Sequence, residues 1–266
     1  MAAVMSLSGR VGLVTGGGTG IGYMIAKAFA ANGAKVYITG VPGSVVPIQM
    51  DVTDEESVKA GAKRIGGIDG KLDILVNNAG IAGPLRDPDF TAKKFAATDP
   101  FEPETVQTWT DLFALNNIAP FFVVRAFQSL LIKGARSRPQ GTPSVINVSS
   151  VGAQMNTQTP LSSVAYLMTK SALDKLTLVL GSSFAQRDIP IRVNVLSPGV
   201  FASQLISLEV LEAIKTKPLR GMVAPIPAKR QGTEVEMGMT AVYLAVSDYT
   251  NGTVLSVDGA VSLANS

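Results

Sequence analysis

Tyr166 and Lys170 stand four residues apart in "YLMTK", within a stretch whose spacing predicts a helix over 164–186. Residues at i and i+4 share one helix face. A free phenol titrates near ~10 and is a poor acid–base group at neutral pH. A neighbouring ammonium stabilises the phenolate and lowers that value, so the pair offers proton transfer to a chain with few other means of it. The sequence contains neither histidine nor cysteine. That excludes a Ser-His-Asp triad, a thiol nucleophile and a disulfide framework, and it removes the usual ligands of a catalytic zinc, so no metal is expected. Taken alone, Tyr-x3-Lys also fits a solvated helix face.

A second chemical signal lies near the N-terminus. "TGGGTGIG" (15–22) follows an apolar strand-like run and opens a helix. Gly16, Gly20 and Gly22 are its spaced glycines, with Gly18, Thr19 and Ile21 between them. A glycine loop in this place lets the backbone approach a pyrophosphate whose charge sits on the helix N-terminus. A tight turn with close strand–helix packing would use the same residues. Four further segments end strands or lie between them: "NNAG" at 77–80, "LNN" at 115–117, "INVSS" at 146–150 and "RVNVLSPG" at 192–199.

These residues need a scaffold, and the hydrophobic pattern supplies one. Strands are expected at 11–15, 35–39, 46–50, 72–77, 144–149, 191–196 and 254–257. Helices are expected over 20–32, from 54, over 106–133, over 164–186 and from 234. The alternation predicts an α/β protein: one doubly wound parallel sheet of the Rossmann type, forming a single domain over 1–266. With 266 residues, 46% of them hydrophobic, the chain can bury one large core. A polar segment with four prolines spans 81–106, and an irregular segment spans 199–232.

One connection is anomalous. In "VYITGVPGSVVPIQMDVTD" (36–54) only a few turn-like residues separate two strands, whereas parallel strands need a crossover of about a dozen residues. Returning from the top of one strand to the foot of the next means roughly 17–20 Å. Five extended peptide steps reach at most ~18 Å. The expected outcomes are a taut connection that leaves part of a sheet face uncovered, a much shortened third strand, or a local rearrangement of that edge.

Together, and in this order, the motifs resemble those of the short-chain dehydrogenase/reductase family, classical type, from Leu7 to Leu263. The resemblance implies an NAD(P)(H)-dependent oxidoreductase interconverting a ketone and a secondary alcohol. In it Tyr166 would be the general acid or base, and Lys170 would lower the Tyr166 pKa and hold the nicotinamide ribose. Ser150 would bind the substrate carbonyl. Asn116 would hold a water relaying protons from Lys170, leaving Asn117 as packing or a helix cap. The resemblance prefers Ser150 to Ser149 because the family uses the second serine of the pair; Ser150 lies sixteen residues before Tyr166, about three more than is usual, and Ser163 is a weaker candidate. For the cofactor, Asp51 would meet the adenine amino group beside Val52. Asn78 and Gly80 would lie along the adenosine side, and Phe201 and Ser203 would hold the carboxamide.

The residue after the second strand normally selects the cofactor: an acid takes the ribose 2′-hydroxyl, an Arg accommodates a 2′-phosphate. Thr39, Gly40 and Val41 are neither, and the lack of an acid favours NADP over NAD. The alternative function is a catalytically impaired or non-catalytic relative with a weakened adenosine site. The 199–232 segment would form the substrate lid; Phe201, Leu205, Ile206, Leu208, Met222 and Val223 point to a hydrophobic small-molecule ketone or alcohol. Lys215, Lys217, Arg220, Lys229 and Arg230 would meet an acidic carrier or simply be solvated. The 81–106 insertion would shape the pocket rim or be a decorative loop.

The net charge is only +3, with Lys and Arg scattered, so no nucleic-acid partner is expected. "MAAVMSLSGR" lacks the apolar core of a signal peptide, and no apolar run approaches the ~20 residues of a membrane span. The expectation is a cytoplasmic protein without a membrane partner, assembled as a homodimer or homotetramer on the two long helices, as the resemblance implies.

Overall fold

The structure, a computed structural model, describes residues 5–266 apart from 40–45, 84–88, 100, 139–140, 157–158, 160–162, 204–207 and 220. Seven parallel strands form one sheet in the order β3-β2-β1-β4-β5-β6-β7. They are β1 (Val11–Val14), β2 (Lys35–Ile38), β3 (Val46–Pro47), β4 (Ile74–Asn77), β5 (Ser144–Val148), β6 (Arg192–Pro198) and β7 (Val254–Val257). Strands β1 and β4 to β6 are buried along their whole length, because helices cover both faces. That is why their sequences read as continuous apolar runs rather than alternations.

On one face α1 (Gly20–Ala31) packs against α8 (Glu234–Val246) over Val14, Ile38, Val76 and Leu196. On the other lie α2 (Glu55–Asp69), α5 (Ala119–Arg136) and α6 (Val164–Ala185), whose Val58, Ile65, Phe127, Leu180 and Phe184 cover Leu13, Tyr37, Leu75 and Val193. The remaining helices are α3 (Phe90–Ala96), α4 (Val106–Phe113), α7 (Leu208–Ala213) and α9 (Val261–Ala264).

Two expectations change here. The polar 81–106 segment contains α3, where its four prolines suggest a loop. The single helix expected over 106–133 is α4 and α5 joined by a π-helical turn, Ala114–Ile118. The whole run Val106–Arg136 is long and apolar enough to cross a membrane by length and composition, but the apolar stripe of α5 is spent on the sheet and on α2.

The short crossover resolves through the length of β3, which has two residues. Val46 pairs with Tyr37 and Pro47 with Ile38, so the third strand begins beside the end of the second. The chain returns by about one residue rise, ~3.3 Å, across one interstrand spacing of ~4.8 Å. Nothing has to be taut. Past Pro47 the chain stays close, with the Ile48 amide donating to the Ile38 carbonyl at 2.9 Å, and Ile48 and Met50 enter the core beneath α2. The expected apolar exposure is small: Val36 and Ile38 are buried by α1, and Val46 at the sheet edge is 38% exposed. Pro47 suits an edge, where its missing N–H breaks no ladder.

Candidate active site at the strand C-termini

The strands end together, so the loops that follow β1, β4, β5 and β6 converge on one side of the sheet. After β1 the chain turns through Gly16 (φ 61°) into α1 at Gly20 (φ 52°), backbone states that favour glycine. A Cβ on Gly22 would meet the Gly16 carbonyl and the Asn78 side chain. Thr19 caps α1 without a side-chain hydrogen bond, so its hydroxyl does not take the amides that attract an anion. Asn78 donates through Nδ2 to the carbonyls of Thr15 (2.9 Å) and Gly16 (3.1 Å); it locks the glycine loop from the neighbouring strand.

Three positions that the sequence reading did not assign to the site support the loop. The Thr15 hydroxyl accepts the Asn78 and Ala79 amides, both at 3.0 Å. A Cβ on Gly17 would lie 2.6 Å from the Ile38 side chain. Thr39, considered only for cofactor choice, accepts the Gly16 amide at 2.8 Å. Their sequence signal was only their adjacency to the loop and to the strand ends.

Together these groups shape a crevice of about 360 Å³ that runs from Gly16, Thr19, Gly20, Ile21 and Gly22 past Asn78 and Gly80 to Tyr166, Lys170 and Ser203. Its glycine cradle and helix N-terminus fit a pyrophosphate, and its far end fits a nicotinamide riboside. The adenosine end is less complete. Asp51 lies with Pro47, Ile48 and Met50 along a separate surface cavity. Its Oδ1 accepts the Thr53 amide (2.9 Å) and hydroxyl (2.7 Å), and these bonds hold its carboxyl below the usual range. Val52 packs against the core beneath α2, and Gly18 also falls outside the crevice lining. Gly40 and Val41 lie outside the described residues, so Thr39 alone represents the selector segment.

The catalytic candidates meet where α6 passes the ends of β4 and β5. Lys170 is buried, donates from Nζ to the Val148 carbonyl at 2.9 Å and lies 5.7 Å from the centre of the Tyr166 ring. Burial pulls its pKa down to about 8, against the pull of Asp174 one turn further on. Tyr166 departs from expectation: burial raises its pKa and its bond to Ser150 only partly offsets this. Desolvation penalises the phenolate more than Ser150 helps it, which favours the neutral phenol, a proton donor.

The serines separate cleanly. Ser150 bonds the Tyr166 side chain and accepts the Gly152 amide at 3.1 Å. Ser149 turns inward and donates to the Lys170 carbonyl at 3.3 Å. Ser163 caps α6, accepting the Tyr166 amide at 3.0 Å. Asn116 sits in the π-helical turn, accepts the Ile81 amide at 2.9 Å and donates to the Ile81 carbonyl at 2.8 Å. Gly80 lies between it and Lys170: a Cβ there would be 3.1 Å from Asn116 Oδ1 and 3.6 Å from Lys170 Nζ. Asn117 is no helix cap; it lies inside the π-helical turn with its amide nitrogen buried and unpartnered.

Beside the crevice lies a second cavity of about 160 Å³, walled by Ala82, Val151, Met155, Leu167, Val200, Phe201, Ile214, Leu219, Met222 and Val261. It meets the crevice at Ile21, Ser149, Tyr166 and Ser203. Phe201 is buried against Gly232, where a Cβ would run into its ring; what it could offer a carboxamide is backbone. Val223 is exposed, and Leu205, Ile206 and Arg220 lie outside the described residues. Lys215 is paired with Glu212 at 2.5 Å and Arg230 with Glu236 at 2.6 Å, while Lys217 and Lys229 are exposed. The described cations of the lid are thus surface charges.

Parallel sheet, glycine cradle and Tyr–Lys pair define a dinucleotide-binding Rossmann oxidoreductase. A family model described as enoyl-(acyl carrier protein) reductase matches residues 16–262. The short-chain dehydrogenase/reductase VdtF of Byssochlamys spectabilis is 31% identical over 97% of this chain and 94% of its own. Gluconate 5-dehydrogenase of Gluconobacter oxydans is 30% identical over 98% of each. The solved RhlG/NADP active-site complex of Pseudomonas aeruginosa superposes with a TM-score of 0.82 at 30% identity, covering 98% of this chain and all of that one. The chain belongs to the classical short-chain dehydrogenase/reductase family. It is an NAD(P)-dependent oxidoreductase of the alcohol/carbonyl pair.

Proposed function

We propose that the protein reduces an apolar ketone to a secondary alcohol with Tyr166 as general acid. The observation that carries this is the meeting of the dinucleotide crevice and the apolar cavity at Tyr166, between Ser150 and Lys170. A nicotinamide bound in the crevice would supply the hydride. Ser150 would hydrogen-bond the carbonyl oxygen, and Tyr166 would give that oxygen its proton. Lys170 would steady the resulting phenolate, and a water held at Asn116 would restore the proton through Lys170. The apolar walls would exclude bulk water from the carbonyl.

An apolar cavity of about 150 Å³ holds a benzene ring, so the substrate's reacting end would be a single ring or a chain of that size. Thr39 carries no charge to repel a 2′-phosphate, which supports NADP over NAD, as does the likeness to a protein solved with NADP. Asp51's separation from the crevice supports a second reading, a weakened adenosine site. The protein would act in the cytoplasm as a homodimer or homotetramer; Ile118, Phe121, Met168, Leu178 and Val179 remain exposed on the long helices and their π-helical turn.

The test is nicotinamide oxidation by the purified protein with NADPH and then NADH, against ring ketones such as cyclohexanone and against polyhydroxylated keto acids. Steady turnover of ring ketones with NADPH is expected. Turnover confined to the keto acids would overturn the substrate assignment, and none with either set would overturn the catalytic reading.

A further inference from the structure

The 81–106 insertion is fastened at both ends to the catalytic machinery. At its start, Ile81 exchanges two hydrogen bonds with Asn116. Asn116 also donates to the Thr169 hydroxyl at 3.2 Å, which in turn donates to the Tyr166 carbonyl at 2.7 Å. At its end, half-buried Glu104 meets the first turn of α6. One carboxylate oxygen accepts the Val164 amide at 2.7 Å and the other accepts the Ala165 amide at 3.1 Å. Ser163 takes the next amide, that of Tyr166 itself. Three of the orphan donors that every helix N-terminus presents are thereby satisfied, two of them by a residue some sixty positions away.

We infer that Glu104 is a positioning residue for Tyr166: the insertion exists to deliver its carboxylate to the N-terminus of the catalytic helix, fixing that helix's first turn and the charge around the Tyr166 hydroxyl. The inference rests on the proposed role of Tyr166. Two physical effects act together. Ser150 lies sixteen residues before Tyr166 along the chain, and the bidentate clamp from α4's side holds the helix start independently of that segment. The helix N-terminus also carries partial positive charge that favours an anion nearby. Without Glu104 that field would favour the phenolate; with it, the carboxylate takes up the field and Tyr166 keeps its proton. Among the described residues, the other groups facing Tyr166 are Lys170 on its own helix with Asp174 behind it, Ser150 from the end of β5 and Asn116 from the π-helical turn, and none of these is an anion at the helix terminus.

The test compares Glu104→Gln, which keeps an acceptor of the same shape but no charge, with Glu104→Asp, which keeps the charge on a shorter arm. In ketone reduction, Glu104→Gln should lose kcat several-fold with little change in the KM for NADPH. The alkaline limb of its pH profile should move to lower pH by about half a unit, the scale of one charge at a helix terminus. Glu104→Asp should restore the position of that limb. Lys170 also enters that limb, so a spectrophotometric titration of the phenolate, with Tyr166→Phe as the blank, reads the shift at Tyr166 itself and without turnover. An inactive protein would therefore refute the proposed function while this titration still decides the inference. A lowered melting temperature with the limb and the phenolate titration unmoved would show a structural cap only and overturn it, as would a Glu104→Gln variant indistinguishable from the parent.

Discussion

At the scale of single residues, the site turns on a competition between burial and charge. The sequence pattern led to the expectation of a lysine that makes tyrosine acidic, yet burial penalises the ionised form of both partners. Tyr166 is pushed up and Lys170 is pulled down to about 8. The sign follows: Lys170 is charged below that pH and neutral above it. Once neutral it no longer supports a phenolate, so kcat/KM for reduction should fall as pH rises through about 8. Asp174 raises the Lys170 pKa, so Asp174→Asn should move the fall to lower pH. A kcat/KM profile flat across that value, or unmoved by Asp174→Asn, would contradict this account of the pair. No spacing rule reports how deeply two side chains will be buried, which is why the direction at Tyr166 was not legible in "YLMTK".

At the scale of elements, glycines and asparagines hold the site together. Asn77 donates to Asn147 at 2.8 Å and Asn147 to Thr177 at 2.8 Å, a buried chain from β4 through β5 to α6. Gly22 matters for the opposite reason, since it has no room for a side chain between the Gly16 carbonyl and Asn78. Gly22→Ala should force the loop from its place, at about 1–3 kcal/mol for such overpacking. A fluorescence titration should then show NADPH binding roughly five- to a hundredfold weaker; unchanged binding would mean that the cradle is not where the cofactor sits. The loop, the strands before it and the helix after it were readable because glycines and apolar runs are local signals. The π-helical turn was not. It is supported by the bonds of Asn116 to Ile81 and Thr169, partners that sequence spacing does not bring together. The short helix α3 was hidden by the prolines around it.

At the scale of the whole molecule, the short connection between β2 and β3 is accommodated by a third strand of two residues. The fold needed β3 only to close the sheet edge and to lead Ile48 and Met50 beneath α2, and two paired residues suffice. At the adenosine end, Asp51 lines a surface cavity with Pro47, Ile48 and Met50 and is not among the residues that line the crevice. The candidate residues Asn116, Ser150, Tyr166 and Lys170 were named from the family resemblance rather than from periodicity, and the fold class was legible because the alternation of strands and helices dictates it. The fate of the short connection was not, since it depended on where one strand pairs beside another.

All three scales converge on one tyrosine placed between two cavities by an otherwise complete sheet. The most direct measurement is the rate of NADPH-dependent ring-ketone reduction by Tyr166→Phe, made beside its NADPH affinity and melting temperature. The account predicts loss of nearly all turnover while folding and cofactor binding persist, because only the transferable proton is removed. A Tyr166→Phe protein that still reduces the ketone at the parent rate would contradict it.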